Sequence, residues 1–280
     1  MSNLPFKQVD VFTAIPFRGN PVAVVLNADE LKDEEMQRIA NWTNLSETTF
    51  ILSSRQADYR LRIFTTQNEL PFAGHPTIGS AHAVREAGIV DRDAKTFVQE
   101  CGAGLIPLQV DDSGMILARV PTPKILHTAM ALNPLMTAMG TTSLLDPLAI
   151  DVGPVWLTAR LEQPEILHSL EINNDKLAAL SHQLGIVGVT VYAIDKSIGV
   201  RVRSFAPDQG INEDPVCGSG NACVAAHLKA TDQQHAVGET YIAFQGESLG
   251  RDGRVQVSLK DDDVLIGGMA VTVIDGKITL

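Results

Sequence analysis

Two stretches of this chain lack the polar face that a surface helix needs. Ala222 to Leu228 is small or apolar on nearly every side, and the residues after His75 repeat the design with Thr77, Ile78, Gly79, Ser80 and Ala81. A helix apolar all round belongs inside a core. The spacing predicts central helices near 75–87 and 219–229, the first ended by Gly88 as a C-cap. Around them the period falls to two or to short apolar runs, the signature of strands. Strands are predicted over Lys7 to Thr13, Val22 to Leu26, the second half of 45–52, Tyr59 to Phe64, Thr96 to Val110 and Met115 to Val120. Further strands are predicted over Pro154 to Leu161, Thr190 to Ile194 and Gly199 to Phe205, and near 239–245, 253–259 and 263–274. Asp111 to Gly114 reads as a hairpin turn. A more ordinary helix starts at Asp33 as cap, turns Met36, Ile39, Ala40 and Trp42 inward, and stops near Asn44. Another, capped by Asn174 or Asp175, runs to about Leu184. Residues 127–147 fit no single pattern.

The two buried segments share more than composition. A shift of 144 positions lays Glu69 on Glu213, Pro71 on Pro215, Ala73 on Cys217 and Gly74 on Gly218. Upstream, Arg62-Ile63-Phe64 matches Arg203-Ser204-Phe205 with three extra residues in the second copy. The common frame is R-x-F, then E-x-P-x-x-G, then a small-residue helix. It predicts a mixed α/β chain of two pseudo-symmetric halves, each a curled sheet around a central helix. The first half is 1–120, joined by the C-terminal strand 266–280, and the second is 121–265. The site is expected in the cleft between the halves. Each helix N-terminus carries unpaired N–H groups and a positive dipole end, which suit an anion.

Composition narrows the classes. The formal net charge is -11 over 280 residues, which argues against nucleic acid and anionic membranes as partners. No stretch approaches a membrane span, and the first residues lack a secretory apolar core. Three cysteines without a C-x-x-C pair fit a reducing cytoplasm. His82, His127, His168, His182, His227 and His235 form no metal-ligand spacing, so no metal is expected. Nucleotide-binding glycine motifs are absent, so no nucleotide cofactor is expected.

The candidate chemistry gathers at the turns. Glu47, ahead of an apolar strand, can be a general acid/base if partial burial raises its pKa, or a surface Glu at a strand end. His75 can shuttle a proton or serve as a polar residue at a helix start, with Pro76 at N1. Asp214 reads as an acid or, more simply, as a helix N-cap. Cys217 sits where a helix dipole lowers a thiol pKa and could act as a second base, or be a small buried residue. Asn20 can bind a ligand or shape a turn. Cys101 and Cys223 read as packing residues.

Taken together, Gly19-Asn20-Pro21, Ser46-Glu47-Thr48, Pro71 to Thr77 and Glu213 to Ser219 resemble the phenazine-biosynthesis PhzF-like isomerase family, in order and spacing, over nearly the whole chain. The resemblance implies a diaminopimelate epimerase-like fold, cofactor-free chemistry and a homodimer. It implies Glu47 as general acid/base, with His75, Asp214 and Ser219 as further polar site residues. Gly74 and Gly218 match its backbone anion-binding positions. The family usually carries Thr at the position of Cys217, and related racemases place cysteines at both the Ala73 and Cys217 positions. The expected function is a cofactor-independent isomerase moving a proton in a small carboxylate substrate, with a cyclic amino or hydroxy acid as the class the resemblance suggests. The alternatives are a Cys217-assisted amino-acid epimerase or dehydratase, and a binding protein for small carboxylates.

Overall fold

The computed structural model describes residues 3–126, 132–260 and 263–280. The chain divides into two compact units, Met1–Arg119 with Gly267–Leu280, and Val120–Ile266. Unit 1 begins with β1 (Asn3–Val11), β2 (Asn20–Val25), α1 (Asp33–Thr43), β3 (Thr48–Leu52), β4 (Tyr59–Phe64) and β5 (Glu69–Leu70). It continues with α2 (Gly74–Glu86), β6 (Thr96–Cys101), β7 (Gly104–Val110) and β8 (Ile116–Arg119). Unit 2 holds β9 (Lys124–Leu126), α3 (Leu132–Met139), β10 (Leu145–Asp151), β11 (Val155–Arg160), α4 (Pro164–His168), α5 (Asn174–Leu184) and β12 (Gly188–Asp195). It goes on through β13 (Gly199–Ala206), β14 (Ile211–Asp214), α6 (Gly218–Ala230), β15 (Thr240–Gln245), β16 (Gly253–Lys260) and β17 (Asp263–Gly268). The chain then returns to unit 1 as β18 (Ala270–Thr279).

The two units repeat one topology. In unit 1, β18–β1–β2 is antiparallel, β2–β3 parallel, β3–β4 antiparallel, β4–β6 parallel and β6–β7 antiparallel. In unit 2, β9–β10–β11, β11–β12, β12–β13, β13–β15 and β15–β16 follow the same sequence of senses. The short strands β5 and β14 pair antiparallel to β4 and β13. Helix α2 packs against β1, β2, β3, β4, β8 and β18, so the sheet curls around it from one end to the other. Helix α6 packs likewise against β10, β11, β12 and β16. Both helices have 13 residues.

Small residues let the sheet close on its helix. A Cβ on Gly79 would lie 2.4 Å from Val22 Cγ1 and 2.8 Å from Val11 Cγ2. Buried hydroxyls on and beside α2 are paired. Ser80 donates to Thr49 at 2.9 Å, Thr49 to the Ala23 carbonyl at 3.1 Å, and Gln99 donates to Thr77 at 3.2 Å. Behind α2 the chain stops in a Schellman arrangement. The N–H of Gly88 (φ 73°) reaches Arg85 O and that of Ile89 reaches Val84 O. The outer faces of the sheets are covered by α1 over Val25, Phe50 and Phe64, and in unit 2 by α3, α4 and α5 over Leu157, Val189 and Val191.

Several expectations need correction. Asp33 is the first helical residue of α1, not its cap, because its carboxylate is drawn to Arg62 at 2.6 Å. Instead Glu35 accepts the N–H of Lys32 at 3.0 Å. Trp42 is 80% exposed rather than inward. Asn173, not Asn174 or Asp175, caps α5 by accepting from Lys176 N–H. Pro76 falls at the third helical position, because α2 begins at Gly74. The ambiguous span holds α3 and the start of β10 over 132–147, while its residues 127–131, His127 among them, lie outside the described residues. Among the described residues, no helix is long and apolar enough to cross a membrane.

Adding a methyl at Gly79 tests how tightly α2 is enclosed. Alanine has the better helix propensity by ~1 kcal/mol, yet Gly79→Ala is expected to destabilise by ~1–3 kcal/mol, the usual range for overpacking. Urea unfolding with an unchanged m-value checks this, and a stabilised variant would show that the sheet has room to give.

Candidate active site

In unit 1, a left-handed Asn44 (φ 55°) ends α1 and turns the chain into β3. Glu47 is the last residue before that strand. Its side chain is 14% exposed and its Oε2 is fully buried. His75, buried on the first turn of α2, brings Nε2 to 3.3 Å from this oxygen. Burial pushes the Glu47 carboxyl up from 4.5 to about 7, against the pull of a hydrogen bond from Ser46. Loss of solvation penalises the charged form and outweighs that bond. The result is a carboxyl able to give or take a proton near neutrality.

The first turn of α2 adjoins this pair. Ala73 is its N-cap and supplies no side-chain cap. The first intrahelical bond is Thr77 N–H to Ala73 O at 3.2 Å, so the N–H groups of Gly74 and His75 precede the ladder. Asn20 is buried at the start of β2, opposite Val11. It is held there by a tight approach, since a Cβ on Gly19 would lie 2.0 Å from Val11 O. Asp10 gathers the N–H groups of Arg18 and Gly19 at 2.9 and 3.1 Å. The structure therefore brings Glu47 and His75 into contact and places Gly74 beside them.

Unit 2 holds the other candidates. Asp214 ends β14 and accepts the N–H of Val216 at 3.1 Å. It does not cap α6. The N-cap is Cys217, whose Sγ accepts the N–H of Gly220 at 3.2 Å. The thiol pKa moves opposite to the dipole expectation. Burial pushes it well above 9.0, and the Asp214 carboxylate adds to the rise. The surroundings of Cys217 thus favour its protonated form. Ser219 lies 3.5 Å from Cys217 Sγ and accepts the indole N–H of Trp156 at 3.0 Å. Gly218 and Ser219 precede the first intrahelical bond, Asn221 N–H to Cys217 O.

Three side chains here went unseen in the sequence. Gln245 accepts the N–H of Cys217 at 3.1 Å and that of the Asn221 amide at 2.9 Å, and donates to Asp214 O at 3.0 Å. One buried amide thus closes the loop 214–217. Asn221 also donates to Cys217 O at 2.8 Å, and Trp156 fixes Ser219. One signal did exist. Gln245-Gly246 stands 144 residues after Cys101-Gly102. Both glycines abut the motif proline: a Cβ on Gly102 would lie 2.8 Å from Pro71 Cα, and one on Gly246 2.5 Å from Pro215 O. Among the described residues, no three His, Cys, Asp or Glu side chains cluster in a way that could hold a metal ion.

Comparison with known proteins places this geometry. The family model described as phenazine biosynthesis-like protein (PhzC-PhzF) matches residues 9–276. Antisense-enhancing sequence 1 of Schizosaccharomyces pombe is 40% identical, with 99% of each chain covered. The trans-2,3-dihydro-3-hydroxyanthranilate isomerase of Pseudomonas aeruginosa is 33% identical, with 88% of this chain and 87% of that one covered. The crystal structure of a PhzF-family phenazine biosynthesis protein from Bacillus anthracis superposes with a TM-score of 0.88 at 28% identity, covering 100% of both chains. The repeated curled sheet with its enclosed helix is the diaminopimelate epimerase-like fold of an isomerase. The chain belongs to the phenazine biosynthesis-like PhzC-PhzF family.

The raised Glu47 value has a stability consequence. The folded pKa of about 7 lies above the unfolded value of 4.5, so this group favours folding fully below the unfolded value, and the contribution is lost as pH rises through about 7. A shift of that size corresponds to roughly 3 kcal/mol. The stability of Glu47→Gln relative to the parent is therefore expected to grow by about that amount between about pH 5 and about pH 8. Urea unfolding of both proteins at the two pH values reads the difference; a flat difference would mean that the carboxyl is solvated.

Proposed function

We propose that this isomerase moves a proton between carbons of a small carboxylate-bearing substrate, with Glu47 as its general acid/base and no cofactor. The observation that carries the reading is the buried Glu47 carboxyl, lifted to about 7 and in contact with His75 beside the first turn of α2. In the ionised form Glu47 takes a proton from carbon and becomes the neutral acid. After that proton exchanges with solvent, Glu47 returns one to another carbon as the double bond shifts, which balances the step. Backbone N–H groups at Gly74 and Gly218, with the helix dipoles, bind the substrate carboxylate or the oxyanion that develops on it. His75 orients the Glu47 carboxyl. Asp214, Ser219 and Asn20 bind polar groups of the substrate.

The relative from P. aeruginosa acts, by its name, on trans-2,3-dihydro-3-hydroxyanthranilate. A cyclic amino or hydroxy acid is the substrate class we propose here. The protonated thiol at Cys217 favours one base over two. Ala73, at the matching N-cap of α2, offers no thiol at all.

A panel of small carboxylates, that dihydroanthranilate included, incubated in heavy water and read for carbon-bound deuterium tests the reading. With a substrate in hand, Glu47→Gln is expected to lower turnover by at least ~10²–10⁴-fold while calorimetry shows ligand binding retained. Near-parental exchange in that variant would move the base elsewhere. Cys217→Thr is expected to keep turnover within about tenfold, because a hydroxyl can accept the Gly220 N–H as the protonated sulfur does. Complete loss with the fold intact would instead make the thiol a base.

A further inference from the structure

The repeated R-x-F and E-x-P elements build one and the same ion-pair fork in each unit. Arg62 and Arg203 each lie over the phenylalanine two residues on, with the guanidinium carbon 5.1 Å from the Phe64 ring and 5.0 Å from the Phe205 ring. Each then turns Nε and Nη2 onto both oxygens of one glutamate. Arg62 meets Glu69 at 2.7 and 2.6 Å, and Arg203 meets Glu213 at 2.9 and 2.8 Å. The remaining Nη1 goes to different partners, Asp33 in unit 1 and the Leu167 carbonyl in unit 2. The fork therefore occurs twice in unlike surroundings.

Its location says what it holds. Glu69 and Glu213 lie on β5 and β14, the short strands just ahead of α2 and α6. β5 has only two residues, so ladder hydrogen bonds alone hold it weakly. A partly buried ion pair adds little net stability, because desolvation offsets the attraction. A planar bidentate fork does add fixed geometry. We propose that Arg62–Glu69 and Arg203–Glu213 are positioning pairs that set the arms leading to Gly74 and Gly218. The second pair sets the adjacent Asp214, and that part rests on the catalytic reading above. Both side chains of the second pair are 11% exposed, against 41% for Glu69. The second fork is thus less screened by water and salt and holds its arm harder.

The test uses Arg203→Lys and Glu213→Gln in the full chain, with Glu69→Gln beside them. Arg203→Lys keeps the charge and loses the fork, so it guards against a variant that does not fold. Hydrogen–deuterium exchange is followed over residues 211–221, with 188–195 of β12 as reference, together with thermal midpoint, kcat and KM. Faster exchange confined to 211–221 is expected in both unit 2 variants. Turnover is expected to drop by about tenfold to a hundredfold, the scale for small misplacement of reacting groups, with KM changed less than kcat. Glu69→Gln should show a smaller loss. Unchanged exchange over 211–221 in folded variants overturns the proposal, and so does acceleration shared equally with 188–195, which signals general loosening. If the parent turns over no carboxylate, the local exchange still decides the fork, and it is the catalytic reading that falls.

Discussion

Everything in each unit follows from enclosing a helix that has no polar face. α2 buries Gly, Ala, Ser and Thr, and α6 Gly, Ala and Cys, where most helices carry larger side chains. Small residues allow the sheet to approach on several sides at once, as the contact of Gly79 with Val11 and Val22 requires. The flanks of such a helix have nothing to offer a polar ligand. Its ends do, because the first N–H groups cannot find partners within the helix. Gly74 and His75, and Gly218 and Ser219, accordingly lie on the first turns of the two helices.

Burial then acts on two acids with opposite results. The same loss of water lifts the Glu47 carboxyl into the working range and lifts the Cys217 thiol out of it. Glu47 has a histidine beside it, while Cys217 has a carboxylate. A fold that repeats its strand order closely thus carries unlike chemistry in its two halves. The two N-cap positions differ by a single thiol sulfur, absent at Ala73 and present at Cys217.

The central helices were legible in the sequence because an all-round apolar pattern suits little besides a helix enclosed on every side. Their starts at Gly74 and Gly218 lie one residue before the predicted ones. The apolar character of Trp42 does not by itself place it on the inner face. At about 100° per residue it falls about 240° around the helix from Met36, on the solvent side. Capping at Asp33 and Asp214 misled for another reason. Each carboxylate had a competing partner, Arg62 for one and the Val216 N–H for the other, and competition of this kind is decided by tertiary structure. Glu47, His75, Gly74 and Cys217 were legible as motif residues. Gln245 and Trp156 were not, because they meet the loop they serve from 28 and 63 residues away.

The return of β18 to unit 1 sets an order on folding. Lys7 on β1 donates to Asp275 on β18 at 2.7 Å across 268 residues of chain. β1 pairs along its whole length with this strand. A chain emerging from the ribosome therefore makes all of unit 2 while the sheet around α2 still lacks one wall. During that interval the edge of β1 is open to stray pairing. Contacts of such long sequence separation form late and slowly. Unit 2 is contiguous and can close on its own material, whereas unit 1 must wait for β18 to be made. The half that carries the buried Glu47 carboxyl is thus the last to become watertight.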